Sequence, residues 1–381
     1  MGRPCPRWRT ASGLLALLAC LAAVPAQAQN GSVSTALVRD FYSFNPGLGF
    51  QDIAELSIPV VVRLPLPWQS ELLISSGYAS LSSTGSEGNE DVSLSGILDT
   101  EARLSVDVLP GRLSVLLSGV LPSGIQSVPA RQVPLLALIS NEALDLSTVR
   151  FGSGGGLGLG FAGAYPLGSL ALGVAGTVRQ EFSYGPVEGS PSQLDPGLET
   201  RVRVGLEGPV RRLGYLRLAG VLSHRSEDRV NGDAQGTSGN LWTGYAALER
   251  PLTSSTLVLY LYESFRSGPR LEGTAFGPAV LPRSNVFAAG ARWAFPLRRA
   301  DLLTARVEYR STRAAPTVDV DDLEALGNSL RAGFEYRLAP WNSTAVVFQA
   351  EGLIGESGDL SGADLTGLTG YRLGLHLEWL R

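Results

Sequence analysis

The chain has 381 residues, 44% of them hydrophobic, with 31 basic side chains against 35 acidic ones for a formal net charge of −4. Every basic residue is an arginine, and both cysteines, Cys5 and Cys20, sit near the N-terminus. The acidic balance argues against nucleic-acid binding, and loss of the N-terminal stretch would leave no thiol for disulfide or redox chemistry.

Residues 1–28 read as a secretory signal. Arg3, Arg7 and Arg9 precede an apolar run from Leu14 to Val24, and Ala26-Gln27-Ala28 is a small-x-small cleavage site before Gln29. Leu17-Leu18-Ala19-Cys20 could serve as a lipobox, but it would cut the apolar core short, so the downstream site is the better one. After the signal no apolar run reaches the roughly 18 residues a spanning helix requires. Only a closed barrel could then cross a bilayer.

Strict alternation marks the rest of the chain as strands. They are expected near 53–64, 71–79, 94–108, 112–121, 153–165, 169–182, 197–208, 213–225, 239–249, 255–266, 284–296, 301–311, 328–338, 343–354 and 368–380. Between Glu199 and Glu207, Thr200, Val202, Val204 and Leu206 fall on one face, and Glu199, Arg201, Arg203, Gly205 and Glu207 on the other. Leu303 to Arg310 and Leu330 to Arg337 repeat the pattern. Apolar outside and polar inside is the repeat of a transmembrane barrel, and bacterial single-chain barrels have even strand numbers. The N-terminal segment 29–52, with a weak pattern from Val33 to Phe44, is either the missing first strand or a plug. The expected fold is an all-β antiparallel up-and-down barrel of residues 53–381 plus that segment, with sixteen strands, or fourteen if one of these fifteen is not a strand and the segment is instead a plug.

The connections are sided. Arg112, Arg211, Arg212, Arg250, Arg298 and Arg299 lie at tight turns, whereas the long loops carry acids such as Glu87, Glu90, Asp91, Glu227, Asp228 and Asp233. Short turns face the periplasm and long loops the exterior in such barrels. Trp68, Trp293, Trp341 and Trp379 gather at the short-turn end and Trp242 at the opposite rim, as interfacial tryptophans do. Loop acids Asp319, Asp321, Asp322 and Glu324 could gather a cation, but their spacing fits no defined loop and a solvated acidic face is expected.

In the middle of the chain, Pro134 to Leu144 begins with a proline suited to a first helical turn and is too apolar for a free loop. A short helix near 131–146, lying on the rim or folded into the mouth, is expected. The hairpin that follows, turned at Pro166-Leu167-Gly168, is bare on its inner face: Gly156, Gly158, Gly160, Ala162 and Ala164, then Ala171, Gly173 and Ala175. Glycine inside a strand marks a kink or a close approach by another backbone.

With its stretch from Arg150 to Gly160 entering that hairpin, the mature chain resembles the bacterial outer-membrane transporters of hydrophobic compounds, the FadL fatty-acid transporters and the meta-pathway phenol-degradation barrels. The resemblance implies passive passage of small apolar or amphipathic solutes through a barrel partly blocked by an inward segment. It carries over no ligand-binding residue.

The last strand sets Tyr371, Leu373, Leu375, Leu377 and Trp379 on one face and Arg372, Gly374, His376 and Glu378 on the other. This resembles the signal read by the outer-membrane assembly machinery, except that Leu380 and Arg381 follow the aromatic. Catalysis finds no footing: His224 and His376 are the only histidines and sit in no motif. Gly158-x-Gly160-x-x-Gly163 lies in a strand pattern without the helix a dinucleotide fingerprint needs. No cofactor or metal site is expected, and the expected partners are outer-membrane lipid, the assembly machinery and small solutes, for a monomer. The transport path is expected to involve Gly156, Gly158, Gly160, Arg203, Arg306, Glu335, Arg372 and His376, with the inner charges bonding across strands. A structural or adhesive barrel using its acidic loops is the alternative.

Overall fold

The computed structural model describes residues 31–380 apart from 47, 87–88, 134, 137–143, 149, 272–282, 299–300, 317–321, 342 and 359–364. The expected signal lies outside these residues, as do Asp319 and Asp321. In chain order the strands are β1 (Ser32–Phe44), β2 (Phe50–Leu66), β3 (Ser70–Gly85), β4 (Val92–Ile97), β5 (Thr100–Leu109), β6 (Leu113–Leu121), β7 (Gly156–Leu167), β8 (Leu170–Glu181), β9 (Leu194–Asp195), β10 (Glu199–Val210) and β11 (Gly214–Arg225). There follow β12 (Asp228–Val230), β13 (Asp233–Thr237), β14 (Leu241–Pro251), β15 (Thr256–Arg266), β16 (Arg270–Leu271), β17 (Ser284–Pro296), β18 (Leu302–Ala314), β19 (Glu324–Trp341), β20 (Thr344–Ser357) and β21 (Thr366–Leu380).

The main sheet contains 17 strand segments. Tyr78 to Ser83 of β3 pair with β4, and Ser70 to Ser75 with β5, so these two segments form one stave broken at Leu98-Asp99. The result is a closed antiparallel barrel of 16 strands. It closes where β1 pairs with β21 from Ser32↔Leu380 to Phe44↔Leu368. The N-terminal segment therefore supplies the first stave and is not a plug. The four short strands β16, β13, β12 and β9 make a separate sheet in the long connections.

Alternation fixes the two surfaces. Leu37, Phe334, Leu373 and Leu375 point outward and are exposed, as are Val202 and Val204, while Arg203, Glu335 and Arg372 occupy the opposite parity on the same strands. Phe41 stacks on Tyr371 across the closing seam at 5.4 Å between centroids. Trp293 lies near the short-turn end of β17 and its indole donates to Ser255 Oγ at 2.9 Å. Trp242 pairs in register with Phe265 at the other end. No helix among the described residues is long and apolar enough to cross a membrane.

The connection from β6 to β7 leaves the long-loop end and turns inward. Of the helix expected near 131–146, a three-residue 3₁₀ turn, Ala130–Gln132, is present, followed by helical backbone at Val133, Leu135 and Leu136; residues 137–143 lie outside the described ones. Leu135, Leu144, Leu146 and Phe151 of this connection form one buried cluster with Tyr42, Ile53, Leu81, Leu94, Leu353 and Leu368 of the wall. Burial of that apolar surface holds the segment inside the barrel, each fully buried leucine contributing about 1.5–3 kcal/mol.

Candidate functional site

The inward segment divides the lumen into two unlike walls. On the long-loop half of β1, β2 and β3 the inner side chains are sealed: Asp40 and Glu55 are 0% and 1% exposed, and Tyr42, Ile53, Ala79 and Leu81 are equally buried. On β7 to β17 the inner side chains of Ala164, Arg201, Arg203, Tyr245 and Arg292 remain exposed. The segment packs chiefly on the first wall and leaves these positions of the second one open.

Polar contacts fix this docking at Asp145, a non-glycine residue in the left-handed region at φ 54°. Its carboxylate takes ion pairs from Arg331 at 2.9 Å and Arg310 at 3.1 Å, and Arg372 donates to its carbonyl oxygen at 2.7 Å. On either side, Tyr42 Oη donates to the Leu144 carbonyl at 2.7 Å and the Ser147 amide to Glu55 Oε2 at 2.8 Å. Ser147 Oγ donates to Asp40 Oδ2 at 2.9 Å, and Asp40 also receives Arg372 Nε at 2.6 Å. Arginines from β18, β19 and β21 thus converge on one loop aspartate. A residue held in a sparsely populated backbone region persists only where its surroundings over-determine it, and these contacts do so.

The returning limb is tied to the wall as well. Arg150 meets Glu181 at 2.8 Å, and Glu181 also lies near Arg179 and Arg225. Ser153 Oγ donates to Asp99 Oδ2 at 2.6 Å, and the Gly124 amide to Asp99 Oδ1 at 3.0 Å, so the break in the β4/β5 stave anchors both limbs of the connection.

The residues singled out from sequence sort into three groups. Arg306 and Arg372 belong to the buried network: Arg306 bridges Glu308 at 2.9 Å and Glu351 at 3.2 Å. They bond across staves and hold wall and segment together. His376 lies beside Gln349 Oε1 at 3.2 Å on the same inner face, while Arg203 and Glu335 are exposed to the lumen. Gly156, Gly158 and Gly160 form the inner face of β7, but a Cβ there would lie 2.5 Å from Gln180 O, 2.5 Å from Ser118 Oγ and 2.6 Å from Thr177 Cγ2. These glycines serve close approach between strands, and the free space expected beside them lies elsewhere: a Cβ on Gly173 would meet nothing closer than 4.0 Å.

Sequence reasoning missed Asp145, Glu55, Asp40 and Tyr42. Their one local sign is the placing of Asp145 between Leu144 and Leu146, a lone acid in an apolar setting. His224 faces away from the lumen, with Nδ1 2.7 Å from Asn240 Oδ1. Among the described residues no cluster of His, Cys, Asp and Glu could hold a metal ion.

Sixteen antiparallel strands closed on themselves, apolar outside and charged within, define a transmembrane β-barrel of the outer-membrane type. No family model and no curated protein matches the sequence. Among solved structures the chain is similar to Pseudomonas putida OprB in its high-pH form, with 13% identity, 92% of this chain and 94% of that one covered, and a TM-score of 0.50. Acinetobacter baumannii OccAB3 aligns at 10% identity over 92% of this chain and 99% of that one, with a TM-score of 0.49. At such identity the likeness to OprB is one of fold.

Proposed function

We propose that this chain is a passive outer-membrane channel for small hydrophobic or amphipathic solutes, working as a monomer. The observation that carries the proposal is the division of the lumen. The β6–β7 connection is bound chiefly to the wall made by β1–β3 and β18–β21, and on β7 to β17 inner side chains such as Ala164, Arg201, Arg203, Tyr245 and Arg292 stay exposed, while Glu181, Ser264, Val286 and Ala288 towards the long-loop end are buried. A barrel used only as a scaffold or an adhesive has no need for one wall clear of packing. Along that wall Ala162, Ala164, Ala171, Gly173, Ala175 and Gly205 present almost no side-chain bulk, which suits an apolar solute body. The resemblance of the sequence to barrels for fatty acids and phenolic-pathway compounds supports the same solute class.

The test is liposome swelling with refolded protein. A small aromatic alcohol should enter several times faster than a sugar of similar size, and the rate should depend on protein dose. Equal and negligible entry of both, with the barrel shown to be folded by heat-modifiable mobility, would leave the structural or adhesive alternative.

A further inference from the structure

The clear wall is apolar in its small residues, yet it carries charges that are unevenly matched. Each acid on the inner faces of β8 to β14 has an arginine at hand: Glu181 has Arg150, Arg179 and Arg225, and Glu199 has Arg201 and Arg225. Near the short-turn end Glu207 and Glu249 share Arg217, at 4.0 and 3.7 Å. Two inward arginines are left over. Arg203 has no acidic or hydrogen-bonding partner among the described residues, and its register neighbours are Ala175 on β8 and Val221 on β11. Arg292 on β17 has, among the described residues, the face of Tyr260, 5.7 Å from its ring centroid, and no acid. Both residues are exposed on the inner face.

Between these two arginines, in stave order, lie β11, β14 and β15, and there Tyr245 and Tyr262 face each other in register on the inner surface. The Tyr260 hydroxyl is already committed to Glu308 Oε2 at 2.6 Å. A solute moving along this strip meets small apolar residues and aromatic rings between two unneutralised cations.

Resting on the channel function proposed above, we infer that the strip selects small amphipathic anions, carboxylates with an aromatic or aliphatic body, and that Arg203 and Arg292 set that choice. A guanidinium presents a planar fork that matches a carboxylate with two parallel hydrogen bonds. In a cleft with low-dielectric walls an unpaired charge concentrates counter-ions of opposite sign. Tyrosine rings on the staves between them supply large apolar contact. A neutral solute gains only the apolar part of this, and a cation is repelled at both ends of the strip. Glu335 on β19 is also exposed and lacks a basic partner among the described residues; β19 lies two staves beyond β17 and outside the strip, so its neutralisation should raise the preference for anions.

The experiment is reversal-potential measurement in planar bilayers across a salt gradient, first with potassium chloride and then with sodium benzoate, on the refolded full mature chain. The wild type should be anion-selective, and Arg203→Gln combined with Arg292→Gln should lower the anion preference about tenfold, the low end of what a charged cleft contributes. Glu335→Gln should shift it the other way. Heat-modifiable mobility confirms that each variant is folded. A conducting double variant with an unchanged reversal potential, or a wild type that prefers cations, would overturn the inference while leaving the channel intact. A folded wild type that inserts without conducting would remove the channel function and this inference together.

Discussion

Asp145 and Arg331, 186 residues apart in the chain, meet at 2.9 Å inside the barrel. That contact joins the β6–β7 connection to β19, and with Arg310 and Arg372 it decides which side of the lumen is filled. The relationship is electrostatic in origin and steric in consequence. A carboxylate needs its arginines once it has left water, and the segment that carries it is drawn onto one wall.

Replacing Asp145 with alanine should therefore enlarge the lumen. It removes the shared partner of three arginines, a change that costs about 3–5 kcal/mol for a fully buried pair and less here because the Asp145 side chain is 31% exposed. The barrel should still assemble, with single-channel conductance raised and an earlier thermal transition. Unchanged conductance with normal folding would show that the segment stays docked through its leucines alone.

The closing seam should be indispensable. Every residue of β1 pairs with β21, and without β1 that strand would present an unpaired edge in a bilayer that cannot satisfy it. Deleting residues 29–44 should abolish the heat-modifiable form altogether. Phe41→Ala, which only unstacks Tyr371, should cost about 0.5–1.5 kcal/mol beyond the lost apolar area, read as a shift in a urea refolding titration.

Val204 and Gly205 test the two surfaces side by side. Val204 is 48% exposed on the outer face, and arginine there should cost about 2–4 kcal/mol near the membrane midplane. At Gly205 a Cβ would come no closer than 3.4 Å to Leu218 O, so Gly205→Arg should be milder. Equal losses in refolding titrations would contradict the assignment of inside and outside.

The glycines of the β7–β8 hairpin should separate by contact and not by residue type. Leucine at Gly158 must push against Ser118 Oγ, where even a Cβ would lie at 2.5 Å, so Gly158→Leu should impair assembly. Gly173 has open space before it and should accept a large side chain with normal heat-modifiable mobility.

Most staves were legible because alternation survives wherever one face meets lipid and the other meets water. It fades in β1, and the reason is visible in the structure. Ala36, Val38, Tyr42 and Phe44 face inward and are buried, so apolar residues stand on both faces and a true strand reads like an irregular segment. The break at Leu98-Asp99 left no sign either, since it depends on how β3 divides its pairing between two registers. The arginine cluster around Asp145 is a meeting of residues from β18, β19 and β21, and no local pattern encodes such long-range pairing. The bare inner wall was legible as composition, but its use was not: whether a glycine marks free space or close approach depends on the neighbouring strand.

The central claim is that solute passes along the clear wall between β7 and β17. The most direct measurement is the single-channel conductance of Gly173→Phe beside the wild type, both refolded and shown to be closed barrels. Wild-type protein should give discrete steps, and Gly173→Phe should give steps of clearly smaller amplitude because the ring enters the open strip. Identical steps from the two proteins would place the path elsewhere in the barrel and contradict the account.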